Sequence, residues 1–202
     1  MTFVRILAAL LLTLATHFSH ATPASVLVMG DSLSAAYGIN VEEGWVSLLQ
    51  QQLLKKAQVK IINASVSGET TSGGLGRLPA LLKQHQPTIV ILELGANDGL
   101  RGQPLKLMQE NLQAMISLSK TAGAEVLLVG MQIPTNYGQR YTSQFKASFP
   151  ALAEKNKIKL VPFLLEAVAA HSELIQSDGL HPNAAAQPII LNNVRPHLEA
   201  ML

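Results

Sequence analysis

The sequence predicts a three-layer α/β/α sandwich, in which a central, mostly parallel sheet of five strands lies between two layers of helices. Short apolar segments alternate along the chain with longer amphipathic ones, and this alternation favours right-handed parallel crossovers. The first apolar segment, residues 26–29, is apolar at every position, as expected of a strand covered on both faces. It ends at Gly30, and a polar cluster follows directly. Because ligands bind at the carboxyl ends of strands in open α/β sheets, this order also predicts where a site would lie.

The strands and helices of this fold can be assigned in order along the chain. Apolar and β-branched runs predict strands at residues 26–29, 59–62, 88–94, 125–129 and 158–161. The first helix opens at Glu42 and Glu43, and a glycine-rich turn around Gly73, Gly74 and Gly76 leads into the second, at residues 75–85. The third helix is marked by an apolar face of Leu105, Met108, Leu112, Met115 and Ile116.

Three further features complete the predicted fold. Residues 141–156 should be helical, with a kink or a break at Pro150, and residues 183–202 should be helical with Pro188 as an irregularity. Trp45 and the methionines fall at helix-face spacing, so we expect them in the core.

The first 21 residues have the layout of a secretory signal peptide. Arg5 precedes an apolar run at residues 6–15, and small residues, Ser19 and Ala21, stand at the third and first positions before the expected cleavage point. The apolar run is too short for a membrane span, which needs about 20 residues. We therefore expect a periplasmic or secreted protein without a stable membrane anchor, whose mature part is one domain at residues 22–202. The alternative is an ordinary buried N-terminal helix.

Composition excludes several classes of protein. The chain has no cysteine, which rules out disulfides, thiolate chemistry, zinc–cysteine sites and lipid attachment to cysteine. Its 15 Lys and Arg residues nearly balance its 13 Asp and Glu residues, so neither a nucleic-acid-binding surface nor a polybasic membrane patch is indicated. No repeat or linker interrupts the sequence, and we expect a single-domain monomer.

Polar clusters follow the first three predicted strands and recur near the end of the chain. They occupy residues 30–34, 63–70, 95–99 and 178–182. The carboxyl ends of parallel strands share one edge of a sheet, so side chains remote in sequence should converge there. A reactive site at this edge is therefore possible.

Ser32 and His181 are the candidate nucleophile and base. A serine needs a base within hydrogen-bonding reach, normally a histidine that a third group orients. His181 has a carboxylate three residues earlier, Asp178, which could accept the imidazole Nδ1 proton and leave Nε2 free to take the Ser32 proton. The other histidines beyond residue 21 are interpreted as solvated helix positions: His85, His171 and His197.

Acyl transfer also needs donors for the developing oxyanion. The candidates are the backbone N–H groups of Ser32 and Gly68 and the side-chain amide of Asn97. Each cluster has a structural alternative: a capping turn at residues 31–32, a tight turn at 97–99, and an N-terminal cap for the last helix at 178–181.

Taken together, the four clusters resemble the sequence blocks of a known family, the GDSL or SGNH hydrolases. The matching residues are Gly30, Asp31, Ser32 and Leu33, then Gly68, then Asn97 and Asp98, then residues 178–181. Their order and spacing agree with that family over essentially the whole chain beyond residue 21. A Gly-x-Ser-x-Gly nucleophile elbow, typical of ordinary α/β-hydrolases, is absent from the sequence.

The resemblance implies the fold, the activity and the roles of five residues. The fold would be the flavodoxin-like SGNH sandwich. The activity would be that of a serine esterase that hydrolyses acyl esters and thioesters, such as fatty acyl thioesters, lysophospholipids and aryl esters, through an acyl-enzyme, without metal or cofactor. Ser32 would be the nucleophile, His181 the base and Asp178 its orienting acid. The N–H groups of Ser32 and Gly68 and the Asn97 amide would form the oxyanion hole. Apart from the resemblance, we interpret Asp31 as part of the architecture of the turn and not of the catalytic set.

Three other functions and the substrate remain open at this stage. A carbohydrate acetyl-esterase of the same fold, a non-catalytic module that binds acyl chains or glycans, and a hydrolase with Asp178 and His181 as metal ligands are the alternatives. Met131, Ile133 and Pro134 follow the fourth strand and could form an apolar wall for the substrate. The loop at residues 99–104 could move over an acyl chain. Both segments could equally be ordinary surface loops.

Overall fold

The computed structural model describes residues 24–54 and 59–202 of the chain. The predicted signal peptide, at residues 1–21, lies outside the described residues. Within the two described ranges, no helix is long and apolar enough to span a membrane.

The sheet has five strands, and each neighbouring pair is parallel. The strands are β1 (Ser25–Gly30), β2 (Lys60–Asn63), β3 (Ile89–Glu93), β4 (Glu125–Val129) and β5 (Lys159–Val161), in the spatial order β2-β1-β3-β4-β5. Every residue of the central strand β3 is buried, whereas the edge strand β2 is partly exposed. The predicted α/β fold with a five-stranded parallel sheet is therefore confirmed.

Helices cover the sheet in two groups. They are α1 (Trp45–Leu54), α2 (Thr71–His85), α3 (Ala96–Leu100), α4 (Leu105–Thr121), α5 (Gln139–Asn156) and α6 (Gln187–Glu199). The helices α1 and α6 pack together, and α4 packs between α2 and α5. Single turns of 3-10 helix lie at Val41–Glu43, Thr135–Tyr137, Ser172–Leu174 and Ala184–Ala186.

The glycine-rich segment before residue 75 is part of a helix, so the predicted turn there is wrong. The helix α2 begins at Thr71, and the Thr70 hydroxyl caps it by accepting the Gly73 N–H at 3.3 Å. Gly74 packs against the sheet so closely that a Cβ there would lie 2.4 Å from Leu94 Cδ1. The glycine therefore allows close packing of α2 on the sheet, a tertiary requirement that local sequence does not reveal.

Other predicted boundaries shift by a few residues. Glu42 and Glu43 form a separate 3-10 turn, because Gly44 adopts an extended conformation before α1 begins. The helix α5 runs unbroken through Pro150. Pro188 lies in the first turn of α6, where the missing N–H would have no intrahelical partner in any case.

The expected core residues are buried. Trp45 and Met115 are 0% exposed, and Met29 and Met108 are also in the core. The prediction that these side chains pack in the core is confirmed for these positions.

Candidate active site

A cleft opens at the carboxyl edge of the sheet, where the predicted clusters meet. Its volume, counted out to the open mouth, is about 680 Å³. The residues that line it are Asp31, Ser32, Leu33, Tyr37, Ser67, Gly68, Ala96, Asn97, Leu100, Met131, Gln132, Ile133, Pro134, Leu165, Leu180 and His181. The structure thus brings together candidate residues from every one of the four polar clusters.

Ser32, His181 and Asp178 form a continuous chain of hydrogen bonds. His181 Nε2 lies 2.9 Å from Ser32 Oγ, and His181 Nδ1 lies 2.7 Å from Asp178 Oδ2. Because the carboxylate accepts the Nδ1 proton, Nε2 is left as the acceptor for the serine hydroxyl. This is the arrangement that activates a serine for nucleophilic attack.

The loop that carries His181 is folded tightly on itself. Asp178 Oδ1 accepts the backbone N–H groups of Leu180 and His181 at 2.9 and 3.0 Å. Gly179 adopts a positive φ of +71°, which suits this turn and favours glycine. The helix α6 begins only at Gln187, so Asp178 does not cap it, and that structural alternative is excluded.

Gln176 links the loop that carries His181 (the histidine loop) to the loop that carries Ser32 (the serine loop). Its side-chain amide donates to the Tyr37 carbonyl at 2.8 Å and to the Pro182 carbonyl at 2.9 Å. The Tyr37 ring also packs against the imidazole of His181, with centroids 4.5 Å apart. Sequence reasoning missed both Gln176 and Tyr37, because neither residue belongs to a motif.

The bonds from its own loop keep Asp178 ionised. Backbone N–H donation from His181 and Leu180, followed by the bond to the His181 ring, lowers the pKa of Asp178 from 3.8 to about 2. Its carboxylate is therefore negatively charged at neutral pH.

Gly68 and Asn97 flank Ser32 in the cleft, as the sequence predicts. Gly68 has a positive φ of +78°, and neither its N–H nor that of Ser32 has an acceptor within the part of the chain that is described. Asn97 lies in the short helix α3, so the alternative of a simple tight turn at residues 97–99 does not hold. Its side-chain nitrogen donates to Asp31 Oδ2 at 3.0 Å.

Two arginines that the motif analysis missed hold the loop around Gly68. Arg101 Nη2 donates to the Gly68 carbonyl at 3.0 Å. Arg77 donates from Nε to Glu69 Oε2 at 2.7 Å and from Nη2 to the Ala64 carbonyl at 3.0 Å. The conformation of this loop is therefore set by side chains from α2 and from the end of α3.

A fully buried carboxyl, Glu93, lies beneath the serine turn. Glu93 Oε2 accepts the Asp31 N–H at 3.2 Å and the Ser34 hydroxyl at 2.7 Å. Burial raises the pKa of Glu93 well above 4.5, and the neighbouring charge of Asp31 raises it further. A Cβ at Gly30 would lie 2.6 Å from Glu93 Oε2, so glycine is required there. The sequence signal was an acid at the end of an otherwise apolar strand.

Asp31 lies within the serine turn, where the sequence analysis predicts an architectural role for it. Its Oδ1 accepts the Leu33 N–H at 3.0 Å, and the side chain is buried. Burial raises the pKa of Asp31 from 3.8 to about 6, against the opposing effect of the Leu33 and Asn97 bonds.

One wall of the cleft is apolar. Met131, Ile133 and Pro134 line it as the sequence indicates, together with Leu100 and Leu165. Ile133 is 7% exposed, so it is a part of the wall and not of a surface loop.

The loop at residues 99–104 is held by side chains of the neighbouring segments. The Tyr137 hydroxyl donates to the Leu100 carbonyl at 2.9 Å, and the Tyr141 hydroxyl donates to the Gln103 carbonyl at 2.8 Å. Among the residues of this loop, Leu100 lines the cleft. The expectation that the loop moves over a substrate stays a prediction.

Among the described residues, the other histidines, His85, His171 and His197, do not line the cleft, and His171 pairs instead with Glu173 at 3.0 Å. In residues 24–54 and 59–202, no three His, Cys, Asp or Glu side chains are grouped as metal ligands. A metal site built on Asp178 and His181 would therefore lack the third protein ligand that such sites usually have.

Comparisons with known proteins agree with the geometry of the site. Residues 28–188 match the model of the GDSL-like Lipase/Acylhydrolase family. Esterase TesA of Pseudomonas aeruginosa is 48% identical over 179 residues, which cover 88% of this chain and 89% of that protein. Thioesterase 1/protease 1/lysophospholipase L1 of Escherichia coli K12 is 42% identical over 185 residues, which cover 92% of this chain and 88% of that protein.

A solved structure of a similar protein has the same fold. The psychrotrophic esterase EstA from Pseudoalteromonas sp., in a form inhibited by monoethylphosphonate, superposes with a TM-score of 0.84 at 47% sequence identity. The match covers 88% of this chain and 97% of that one.

Proposed function

The chain belongs to the GDSL-like lipase/acylhydrolase family, and from this premise we propose that it hydrolyses acyl esters and thioesters through a covalent intermediate on Ser32. The observation that carries the proposal is the hydrogen-bonded chain from Asp178 through His181 to Ser32, with distances of 2.7 and 2.9 Å, in the wall of an open cleft. No cofactor is needed for this chemistry.

In the first half of the reaction, Ser32 Oγ attacks the acyl carbonyl carbon. His181 Nε2 takes the hydroxyl proton as the new bond forms, and the ionised Asp178 stabilises the resulting imidazolium. His181 then gives that proton to the leaving alcohol or thiol, and the acyl group remains on Ser32. In the second half, water takes the place of the serine hydroxyl and the same proton transfers release the carboxylic acid.

The negative charge that develops on the carbonyl oxygen requires donors. We assign this role to the N–H groups of Ser32 and Gly68 and to the Asn97 side-chain nitrogen, which all border the cleft. The absence of acceptors for the two backbone groups, among the described residues, supports the assignment. Removing one such donor typically costs about 2.7–4 kcal/mol of transition-state stabilisation.

The cleft has an apolar wall beside the polar side chains of Ser32, Asn97 and His181, and this combination supports a fatty acyl substrate. The wall of Met131, Ile133 and Pro134 would contact the acyl chain, while the leaving group would face the open mouth of the cleft. Fatty acyl thioesters, lysophospholipids and aryl esters share this pattern of an apolar acyl chain and an accessible leaving group. The names of the relatives, an esterase and a thioesterase/lysophospholipase, are consistent with it.

We further propose that the enzyme works as a periplasmic or secreted monomer after cleavage behind Ala21. The layout of residues 1–21 supports export, and a complete set of candidate groups in one chain supports a monomeric site. N-terminal sequencing of the exported protein should begin at Thr22. An intact Met1 would contradict the proposed cleavage.

The proposed function is tested by comparing kcat/KM over acyl esters, acyl thioesters, lysophospholipids and acetylated sugars of graded acyl length. We expect turnover of medium and long acyl esters and thioesters that is insensitive to chelators. A strong preference for acetylated sugars would instead indicate a carbohydrate acetyl-esterase. Binding without turnover of any of these compounds would indicate a non-catalytic module.

A further inference from the structure

Asp31 connects the serine turn to the amide of Asn97. One carboxylate oxygen accepts the Leu33 N–H and the other accepts the Asn97 side-chain nitrogen, both at 3.0 Å. Asp31 is 1% exposed, so water does not compete freely for either oxygen. A single buried side chain thus binds both the turn that carries Ser32 and a candidate oxyanion donor 66 residues away in sequence.

The chemistry of the two side chains determines which end of the Asn97 amide faces Asp31. A carboxylate only accepts hydrogen bonds, whereas a primary amide has a nitrogen with two donor hydrogens and an oxygen that accepts. The amide nitrogen must therefore face Asp31. One of its hydrogens is used by Asp31, and the second remains for a ligand in the cleft.

The backbone of Asn97 is held by a different acid. Asp98 accepts the Thr71 N–H at 2.9 Å and the Thr71 hydroxyl at 2.6 Å, which binds α3 to the start of α2. Asp98 leaves the Asn97 amide free to rotate about its last side-chain bond. Of the described residues, Asp31 is the one whose side chain contacts this amide through a hydrogen bond.

We propose that Asp31 is a positioning residue, which keeps the Asn97 nitrogen, and not its oxygen, turned towards the oxyanion. The proposal rests on the proposed function, in which Asn97 donates to that oxyanion. Without the carboxylate, a half-turn of the amide would present the Asn97 oxygen to the cleft. An acceptor there would repel the oxyanion that the site has to stabilise.

A double-mutant cycle separates this role from a merely structural one. The proteins are the wild type, D31N, N97A and D31N/N97A, assayed for kcat and KM on one p-nitrophenyl ester. The amide introduced by Asp31→Asn can still accept the Leu33 N–H, but its donor end would face the Asn97 nitrogen. The change should therefore preserve the serine turn and favour the orientation of Asn97 in which its amide oxygen faces the cleft.

We expect a strongly non-additive result. N97A alone should lower kcat by about 10²–10³. D31N should lower kcat by about 10–10² when Asn97 is present, with little change in KM, and by less than about threefold in the N97A background. An equal loss of kcat in both backgrounds would overturn the proposal, because Asp31 would then act through the serine turn alone.

A third variant and an exchange measurement complete the test. Asp31→Ser retains a hydroxyl that can accept the Leu33 N–H but is too short to reach Asn97, so it should repeat the non-additivity if D31N folds poorly. In the wild type, the Asn97 side-chain hydrogen that is bound to Asp31 should exchange with solvent at least about tenfold more slowly than those of the exposed Asn192. Equal exchange would contradict the bond to Asp31. A wild type without esterase activity would refute the proposed function instead, independently of Asp31.

Discussion

His181 Nε2 lies 2.9 Å from Ser32 Oγ, although 149 residues separate the two in the sequence. The serine follows a central strand, whereas the histidine lies on an irregular loop before α6. The contact depends on Gln176, which binds the carbonyl of Tyr37 in the serine loop and that of Pro182 in the histidine loop. The reactive pair is thus held by bonds outside the motifs that identify it.

Replacing Ser32 should abolish both turnover and covalent labelling. Ser32→Ala removes the nucleophile, and kcat for p-nitrophenyl esters should fall by at least about 10⁴. The variant should also lose labelling by a fluorophosphonate probe. Ser143→Ala, on the exposed face of α5, is the matched control and should behave as the wild type. Labelling retained in the Ser32→Ala protein would refute the assignment of the nucleophile.

Replacing Asp178 by its isosteric amide should separate the effect of the carboxylate charge from the effect of the loop conformation. Asp178→Asn can still accept the N–H groups of Leu180 and His181, so the loop should fold. It cannot stabilise the imidazolium or hold the required tautomer, and kcat should fall by about 10³–10⁴. The pKa of Asp178, about 2, also means that its protonation does not limit the wild-type rate above pH 4. Loss of less than tenfold in kcat would exclude Asp178 as the orienting acid.

Enlarging the side chain at position 133 should change the preference for acyl length. Ile133 Cγ2 lies only 3.0 Å from the position that a Cβ on Gly99 would occupy, so the wall has little room to yield. Ile133→Phe should lower kcat/KM for long acyl esters by about tenfold, through overpacking, and leave acetyl esters nearly unchanged. Ile133→Val is the control with a smaller side chain. An unchanged chain-length profile in the Phe variant would remove Ile133 from the substrate pocket.

Replacing Glu93 should make stability less sensitive to pH. Its pKa is raised in the folded protein, so the folded state binds a proton more tightly than the unfolded state does. The free energy of unfolding should therefore fall as pH rises above 4.5, by at most about 1.4 kcal/mol per pH unit for one proton. Glu93→Gln keeps an acceptor for Asp31 and Ser34 but does not titrate, so its decline should be shallower.

Urea denaturation between about pH 7 and 8 measures this difference. At pH 7, one unit above its pKa of about 6, Asp31 is about nine-tenths ionised, so its own titration adds little to the slope. Parallel stability curves for the two proteins would show that Glu93 is already ionised in the folded state.

Much of the fold and the candidate site follows from local sequence. Continuous apolar runs predict the central strands because strands covered on both faces need no polar side. The pairing of Asp178 with His181 is likewise local, since three residues and one glycine build the turn. Ser32, Gly68 and Asn97 can be identified because each is a small or polar residue in a cluster that follows a strand.

Sequence alone therefore predicts the order of the strands and helices and the chemical groups at one edge of the sheet. The way in which those groups are held depends on tertiary contacts. The pairing of Gly30 with Glu93 in the sheet brings a buried acid beneath the serine turn. The close packing of Gly74 on Leu94 accompanies a helical start of α2 where the sequence predicts a turn. The bond from Asn97 to Asp31 is of the same kind. Such contacts depend on the register and packing of segments far apart in the chain, and periodicity within one segment carries no information about them.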